Sequence, residues 1–310
     1  MTQPGTGKYE QLLERCRGLA PIVTAVAWPC DETSLSGAID AAAKGLITPI
    51  LVGPSATITE VARSKGINLG GAEIVDVADS RAAAARAVAL VREGRADLVM
   101  KGSLHSDEVL GAVIAKETGL RTGRRLSHVF LMDVPTYHKV LIVTDAAINI
   151  APTLEDKVDI VQNAIDLARS FGVERPKVAI LAAVETVNSK MPATLDAAAL
   201  CKMAERGQIK GGLLDGPLAF DNAISRDAAK IKGIVSEVAG DPDILLAPDL
   251  EAGNMMAKQL SFLANADSAG MVLGARVPVI LTSRADSLRS RIASCAVAVL
   301  AAHARRQPAK

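Results

Sequence analysis

The chain has 310 residues, of which 49% are hydrophobic and 22% charged, with a formal net charge of +1. That profile belongs to a soluble, globular, well-cored protein and excludes a disordered or polyanion-binding one. Aromatic residues make up only 2%, too few to stack nucleobases. No Lys/Arg cluster supplies a phosphate-tracking stripe either, so nucleic acid is excluded as a partner.

The N-terminal MTQPGTGKYEQ has no apolar core and does not read as a signal peptide. From there, short β-branched runs alternate with Ala-rich helical stretches to the end of the chain. The strand candidates are PIVTAVA from Pro21, TPILVG from Thr48, AEIVDV from Ala72 and ADLVMKG from Ala96. SHVFLMDV follows from Ser127, HKVLIVTD from His138, PKVAILAA from Pro176 and IKGGLLDG from Ile209. DILLAPD from Asp243, AGMVLG from Ala269 and VPVILTS from Val277 complete the series. Most are continuous apolar runs, the pattern of strands covered on both faces.

Amphipathic helices lie between the strands. In TLEDKVDIVQNAIDLARSFG, Leu154, Val158, Val161, Ile165 and Ala168 recur on one face. Thr153 is placed to cap that helix and Gly172 to end it. The βαβα alternation predicts an α/β protein with largely parallel sheets. SHVFLMDVPTYHKVLIVTD reads as one antiparallel hairpin near the middle, where a domain junction is expected. The longest uncharged apolar run, Ile292 to Ala302, is too short to cross a bilayer, which needs about 20 residues. A cytoplasmic location without membrane contact is therefore expected.

Cys16, Cys30, Cys201 and Cys295 are far apart and form no CxxC or CxxH pair. Buried reduced thiols are expected, with neither a disulfide framework nor a metal site. GTGK at Gly5–Lys8 is not a P-loop, because the earlier glycine and a preceding strand are missing and Tyr9 replaces Ser/Thr. There is no GxGxxG after a strand, no HExxH and no GxSxG.

What is left is a set of strand ends carrying polar clusters, the places where α/β sheets bind ligands. They are MKGSLHSD (Met100–Asp107), TDAAINIAPT (Thr144–Thr153), LDGPLAFDNAIS (Leu214–Ser225), APDLEAGN (Ala247–Asn254) and TSRADS (Thr282–Ser287). Ser106, Asp107, Thr153 and Asp249 are also candidate helix caps, and Gly253–Asn254 a candidate turn. TSRADS carries the sharpest chemistry. A helix N-terminus presents unpaired N–H groups and a positive dipole end to an anion. Arg284 adds a planar cationic fork matched to phosphate oxygens, and Thr282 and Ser283 add hydroxyl donors. Against this, Asp286 or Ser287 could be a plain N-cap and Arg284 a solvated cation.

VPVILTSRADS, APDLEAGNMMAKQL, GPLAFDNAIS, VETVNSKMPATLDAAAL and TDAAINIAPTLEDKVDIVQNA occur in this sequence. Together they resemble the phosphate acetyl/butyryltransferase family, from about Ala96 to Val297. LAFDNAIS and TSRADS look more like the butyryltransferase side. The resemblance implies reversible acyl transfer, acyl-CoA plus phosphate giving acyl phosphate plus CoA, with the acyl group butyryl or acetyl. It implies two α/β/α domains with a cleft between them, similar to isocitrate and isopropylmalate dehydrogenases, and a homodimer or higher homo-oligomer. The expected division is residues 1–148 plus 272–310, and 149–271. CoA thioester and phosphate enter as substrates, with no cofactor bound permanently.

By the same resemblance, Ser283 and Arg284 match the family's catalytic pair, Arg284 holding the phosphoryl group and stabilising the oxyanion. Acetyltransferases carry a basic aspartate six residues after the arginine, where this chain has Ser290, so Asp286 is the candidate base. Asp145 and Asn149 match the polar end of the inter-domain strand, and Asn254 the PDL..GN turn. The family also uses arginines ahead of the VFLM strand, where Arg121, Arg124 and Arg125 all fall. Lys101 is added from its place at a strand end, the alternative being a surface lysine. With no cysteine in any cluster, direct transfer is expected over an acyl-cysteine. Two further readings are a non-catalytic acyl-CoA or phosphate sensor, with Ser290 in its favour, and a metal- and NAD-dependent decarboxylating dehydrogenase.

Overall fold

The computed structural model describes residues 7–282 and 286–306. In chain order the elements begin with α1 (Lys8–Cys16), β1 (Ile22–Ala27), α2 (Glu32–Ala43), β2 (Ile47–Gly53), α3 (Ser55–Lys65), β3 (Glu73–Asp76) and α4 (Ser80–Arg92). They continue with β4 (Leu98–Lys101), α5 (Ser106–Ile114), β5 (Ser127–Asp133), β6 (Leu141–Thr144), α6 (Leu154–Ser170), β7 (Lys177–Leu181) and α7 (Pro192–Glu205). The last are β8 (Leu213–Leu218), α8 (Phe220–Ile224), α9 (Arg226–Ile231), β9 (Ile244–Leu246), α10 (Leu250–Leu263), β10 (Asp267–Leu273), β11 (Val279–Ile280) and α11 (Leu288–Arg306). Each strand candidate of the sequence has its counterpart here, in a mixed α/β fold. Among the described residues, no helix is long and apolar enough to cross a membrane.

The chain forms two compact units, one of residues 7–124 with 269–310 and one of residues 125–268. The divisions therefore fall at 124/125 and 268/269, not at the 148/149 and 271/272 read from sequence. The reason is strand pairing. β6 is antiparallel to β5 and parallel to β9, so the whole hairpin belongs with residues 125–268.

In the unit of residues 7–124 and 269–310 the strand order is β3-β2-β1-β4-β11-β10. Its strands pair in parallel except β10 with β11. Apolar strands such as β1 and β4 are covered on both faces, with Val26, Leu98 and Val99 wholly buried. Helix α11 is buried continuously from Ser290 to Val299, which is why that stretch, Arg291 apart, is small or apolar all round. The parallel register sets Ile280 of β11 beside Met100 of β4, so Lys101 and the residues after Ile280 leave the sheet at the same end.

In the unit of residues 125–268 the order is β5-β6-β9-β7-β8. Thr144, Leu246 and Ile180 stand in one row across β6, β9 and β7, and Leu181 pairs with Leu218 of β8. Four neighbouring strands thus finish together. Helix α6 is capped as the sequence indicates: Thr153 accepts from the Asp156 N–H at 3.2 Å and Asp156 from the Thr153 N–H at 3.0 Å. Of its predicted apolar face, Val161, Ile165 and Ala168 are buried, while Leu154 and Val158 are half-buried near the exposed first turns. Asp249 caps α10, accepting from the Ala252 N–H at 2.8 Å. Ser106 and Asp107 are not caps; His105 holds that position for α5, and its N–H donates to Glu108 at 2.9 Å.

Candidate functional site

Ser283 and Arg284 lie outside the described residues, as does Ala285. What flanks them is defined on both sides. Thr282, 3% exposed, follows the carboxyl end of β11. Its carbonyl accepts from Nζ of Lys101 at 3.4 Å, and its Oγ1 accepts from an Nη of Arg291 at 3.0 Å. Lys101 is 4% exposed and also donates to the Gly102 carbonyl at 3.3 Å, so it is not a surface lysine. The turn after it packs tightly: a Cβ at Gly102 would stand 2.4 Å from the carbonyl oxygens of Ala27 and Trp28. Glycine at that position lets the end of β4 close against the end of β1.

On the far side of the pair, Ser287 takes the N-cap role for α11. Its Oγ accepts from the Ser290 N–H at 3.1 Å, and its carbonyl accepts from the Arg291 N–H at 3.1 Å. Asp286, half-buried, is therefore not needed as the cap. Ser290 is 9% exposed, and its hydroxyl is engaged by Ser287 at 3.2 Å.

A second polar cluster stands at the end of β6, within residues 125–268. Asp145 is 2% exposed and Asn149 3%. The Asp145 carboxylate accepts from the N–H groups of Ala147 at 2.9 Å and Ile148 at 3.1 Å, and from Nδ2 of Asn149 at 2.5 Å. Asn149 Nδ2 also donates to the Leu126 carbonyl at 2.8 Å, and its Oδ1 accepts from Nε of Arg125 at 2.8 Å. Arg125 meets Asp156 at 3.3 Å as well. Of the three arginines named from sequence, Arg125 is the one this cluster holds. Arg121 and Arg124 belong to the other compact unit. Arg121 is exposed and bridges Ala275 through its backbone, while the Arg124 N–H donates to Thr122 Oγ1 at 3.1 Å.

Asn254 donates to the Ala146 carbonyl at 3.0 Å from within α10. Gly253 and Asn254 are helical rather than a turn. A Cβ at Gly253 would stand 2.3 Å from the Asp145 carbonyl oxygen, so glycine is what lets α10 press on the end of β6. Beside this cluster, at the ends of β7, β8 and β9, lies a cavity of about 480 Å³. It is lined by Leu181, Ala183, Phe220, Pro248, Met256 and Leu260, among others. Two sequence motifs with no assigned role meet nearby. Asn222 of LAFDNAIS donates to Glu185 of VETVNSK at 3.2 Å, and Lys232 bridges Glu185 and Asp221.

Sequence reasoning missed several buried titratable groups, Arg291, His128, Lys157 and Asp241 among them. Arg291 is 3% exposed although it sits beside charged neighbours in LRSR. Its signal was periodic: it shares a helical face with Cys295, Ala298 and Ala302. His128 is 1% exposed on β5, and burial pushes its pKa down to about 4 despite the opposing pull of Asp145. Its alternation with Phe130 along a strand gave no chemical signal. The four cysteines are all shifted upward by burial, Cys16 and Cys30 to about 11 and Cys201 and Cys295 to about 12. Among the described residues, no group of three or more His, Cys, Asp and Glu side chains is placed to hold a metal ion.

Residues 80–299 match the family model described as "Phosphate acetyl/butaryl transferase". The chain belongs to this family. As a phosphate acetyl/butyryltransferase family member it is an acyltransferase. It is 66% identical to a phosphate acetyltransferase of Rhizobium meliloti over 299 residues, covering 96% of this chain and 95% of that one. It is 45% identical to a phosphate butyryltransferase of Clostridium acetobutylicum, covering 95% and 98%. Among solved structures, a branched-chain phosphotransacylase from Enterococcus faecalis is similar at a TM-score of 0.79 and 30% identity, covering 91% of this chain and 99% of that one.

Proposed function

We propose that the chain moves an acetyl group reversibly between CoA and inorganic phosphate, with the chemistry at Ser283, Arg284 and Asp286. Acetyl is chosen over butyryl because the relative bearing the acetyltransferase name shares 66% of its residues, against 45% for the butyryltransferase. The observation that carries the site is the buried ammonium of Lys101 against the Thr282 carbonyl. It puts a positive charge beside the strand end from which Ser283 and Arg284 continue, which favours an anion there.

In the direction of acyl phosphate formation, a phosphate oxygen attacks the thioester carbonyl carbon. The C–O bond forms and the C–S bond breaks, while the proton that hydrogen phosphate loses as it attacks passes to the Asp286 carboxylate and from there to the departing sulfur. In the reverse direction Asp286 accepts the thiol proton as the sulfur attacks the acyl phosphate. Arg284 holds the phosphoryl group and, with Ser283, offsets the charge that builds on the carbonyl oxygen. Asp145, Asn149, Arg125 and Asn254 form the substrate-facing polar cluster of residues 125–268, and Lys101 contributes at the phosphate. Cysteine thiols held at about 11 to 12 are protonated at neutral pH and make poor acyl carriers, which supports direct transfer. An isocitrate/isopropylmalate dehydrogenase-like arrangement, a homodimer and a cytoplasmic setting belong to the same reading.

The test is steady-state turnover of Arg284→Ala. Loss of several orders of magnitude in kcat, with an unchanged melting transition, is expected. Turnover within ten-fold of wild type would remove Arg284 from the chemistry.

A further inference from the structure

We propose that Arg291 is a positioning residue for the Ser283–Arg284 pair, acting through Thr282; this rests on the reading of that pair as the group that holds phosphate. Arg291 lies in the first turns of α11 and is almost wholly buried, at 3% exposed. Its guanidinium reaches back to Thr282 Oγ1 at 3.0 Å, nine positions earlier in the chain. Thr282 is thereby held at two points on two sides, its side chain by Arg291 and its carbonyl by Lys101 at 3.4 Å.

The surroundings are shaped for this arginine. A Cβ at Gly37 of α2 would stand 3.1 Å from Cδ of Arg291, so the absence of a side chain there admits the arginine stem. Below it, Cys295 lies one helical turn on and is fully buried, and the arginine opposes the upward shift of its thiol. A guanidinium is expensive to desolvate, and an apolar side chain of similar volume would fill such a slot at lower cost. What the arginine adds is direction. Its planar fork fixes where the hydrogen bond falls, and a flexible ammonium would not.

The consequence for the reaction follows from covalent geometry. Thr282 precedes Ser283 by one peptide unit, about 3.8 Å between Cα atoms. Fixing Thr282 therefore fixes the residue to which the catalytic pair is covalently joined. Displacement of a reacting group by about 1 Å costs on the order of 100-fold in rate. Arg291 touches neither substrate nor reacting atoms in this account; it sets the place from which Ser283 and Arg284 reach them. This also explains a threonine at 282. Its methyl is buried and its oxygen is taken as an acceptor, a different role from the donor to substrate expected of it from sequence.

The experiment uses the full chain and measures phosphate-dependent thiol release from acetyl-CoA, with thermal denaturation alongside. Absence of release by the wild-type protein would sink the proposed reaction itself, separately from the role of Arg291. With an active wild type, Thr282→Val is expected to lose 10- to 100-fold in kcat and to raise KM for phosphate. KM for acetyl-CoA should stay within about two-fold. Thr282→Ser, which keeps the acceptor oxygen, should recover to within about three-fold of wild type. Arg291→Met in the Thr282→Val background should add less than about three-fold, because the two residues act as one unit. Arg291→Lys should fall between wild type and Arg291→Met. A Thr282→Val protein that keeps wild-type kcat and phosphate KM overturns the proposal, whether or not its melting temperature drops. Should Arg291→Met fail to fold, the Thr282 variants decide the matter alone.

Discussion

Asn149 and Asp145 form a buried pair, with Nδ2 of Asn149 donating to Oδ2 of Asp145 at 2.5 Å. The same asparagine accepts from Arg125 Nε through its Oδ1 at 2.8 Å. One amide thus orients a carboxylate on one side and a cation on the other. Both donors and the acceptor are used, counting the bond to the Leu126 carbonyl.

Asn149→Ala is expected to destabilise the fold by about 2–4 kcal/mol, because it strips a buried carboxylate of a donor and leaves the Leu126 carbonyl without one. Asn254→Ala, which loses the bond to the Ala146 carbonyl, should cost about 1 kcal/mol. Urea unfolding midpoints of the two variants measure the contrast. Equal and small losses would show that Asn149 does not organise the cluster.

Asp286 and Ser287 separate chemistry from capping. Ser287→Ala should lower stability by about 1 kcal/mol through loss of the α11 cap, with turnover within a few-fold of wild type. Asp286→Asn should do the reverse, cutting turnover 100-fold or more at nearly unchanged stability. Wild-type turnover in Asp286→Asn would end its assignment as the base.

His128 should make stability depend on pH in the mildly acidic range. Burial lowers its folded pKa from 6.5 to about 4, and Asp145 opposes this. In that window the unfolded chain binds a proton that the folded chain resists. Stability is therefore full above pH 6.5 and falls as pH drops toward 4, by a few kcal/mol in total. In His128→Phe the unfolding midpoint should lose most of this slope between pH 6.5 and 4. An undiminished slope would place its origin elsewhere.

Asp241 sets the acid limit. Burial raises its pKa, but hydrogen bonds from Lys177, Lys139 and His138 outweigh that and hold the carboxyl well below the usual range. Its distances to Lys177 and Lys139 are 2.8 and 3.0 Å. Because the folded pKa is the lower one, the stabilisation is present above the ordinary carboxylate pKa of about 3.9 and is lost as pH falls below it. Asp241→Asn should lose about 3–5 kcal/mol at pH 7 and show less further loss on acidification. Denaturant titrations at pH 7 and pH 3 check both parts.

The strands were readable because parallel, doubly covered strands leave continuous apolar runs such as PKVAIL and ADLVM. The cap of α6 was readable because Thr153 and Asp156 lie three apart just before an amphipathic run. The division of the chain was not, since it depends on β6 pairing with β9, some hundred positions later, which no local pattern encodes. Lys101 could be placed at a strand end, but its burial comes from β11 arriving beside β4. Arg291 looked like one more charge in a basic stretch, and only its phase relative to Cys295 and Ala298 hinted otherwise. Ser287 and Asp286 were interchangeable as caps by residue type, and backbone geometry chose between them.

The most direct test of the acyltransferase account is thiol release from acetyl-CoA and butyryl-CoA by the purified protein, with and without inorganic phosphate. Release that requires phosphate, faster with acetyl-CoA, together with stoichiometric acetyl phosphate, is the expected result. Bound CoA with no phosphate-dependent release from either thioester would contradict it and identify a binding protein on this scaffold.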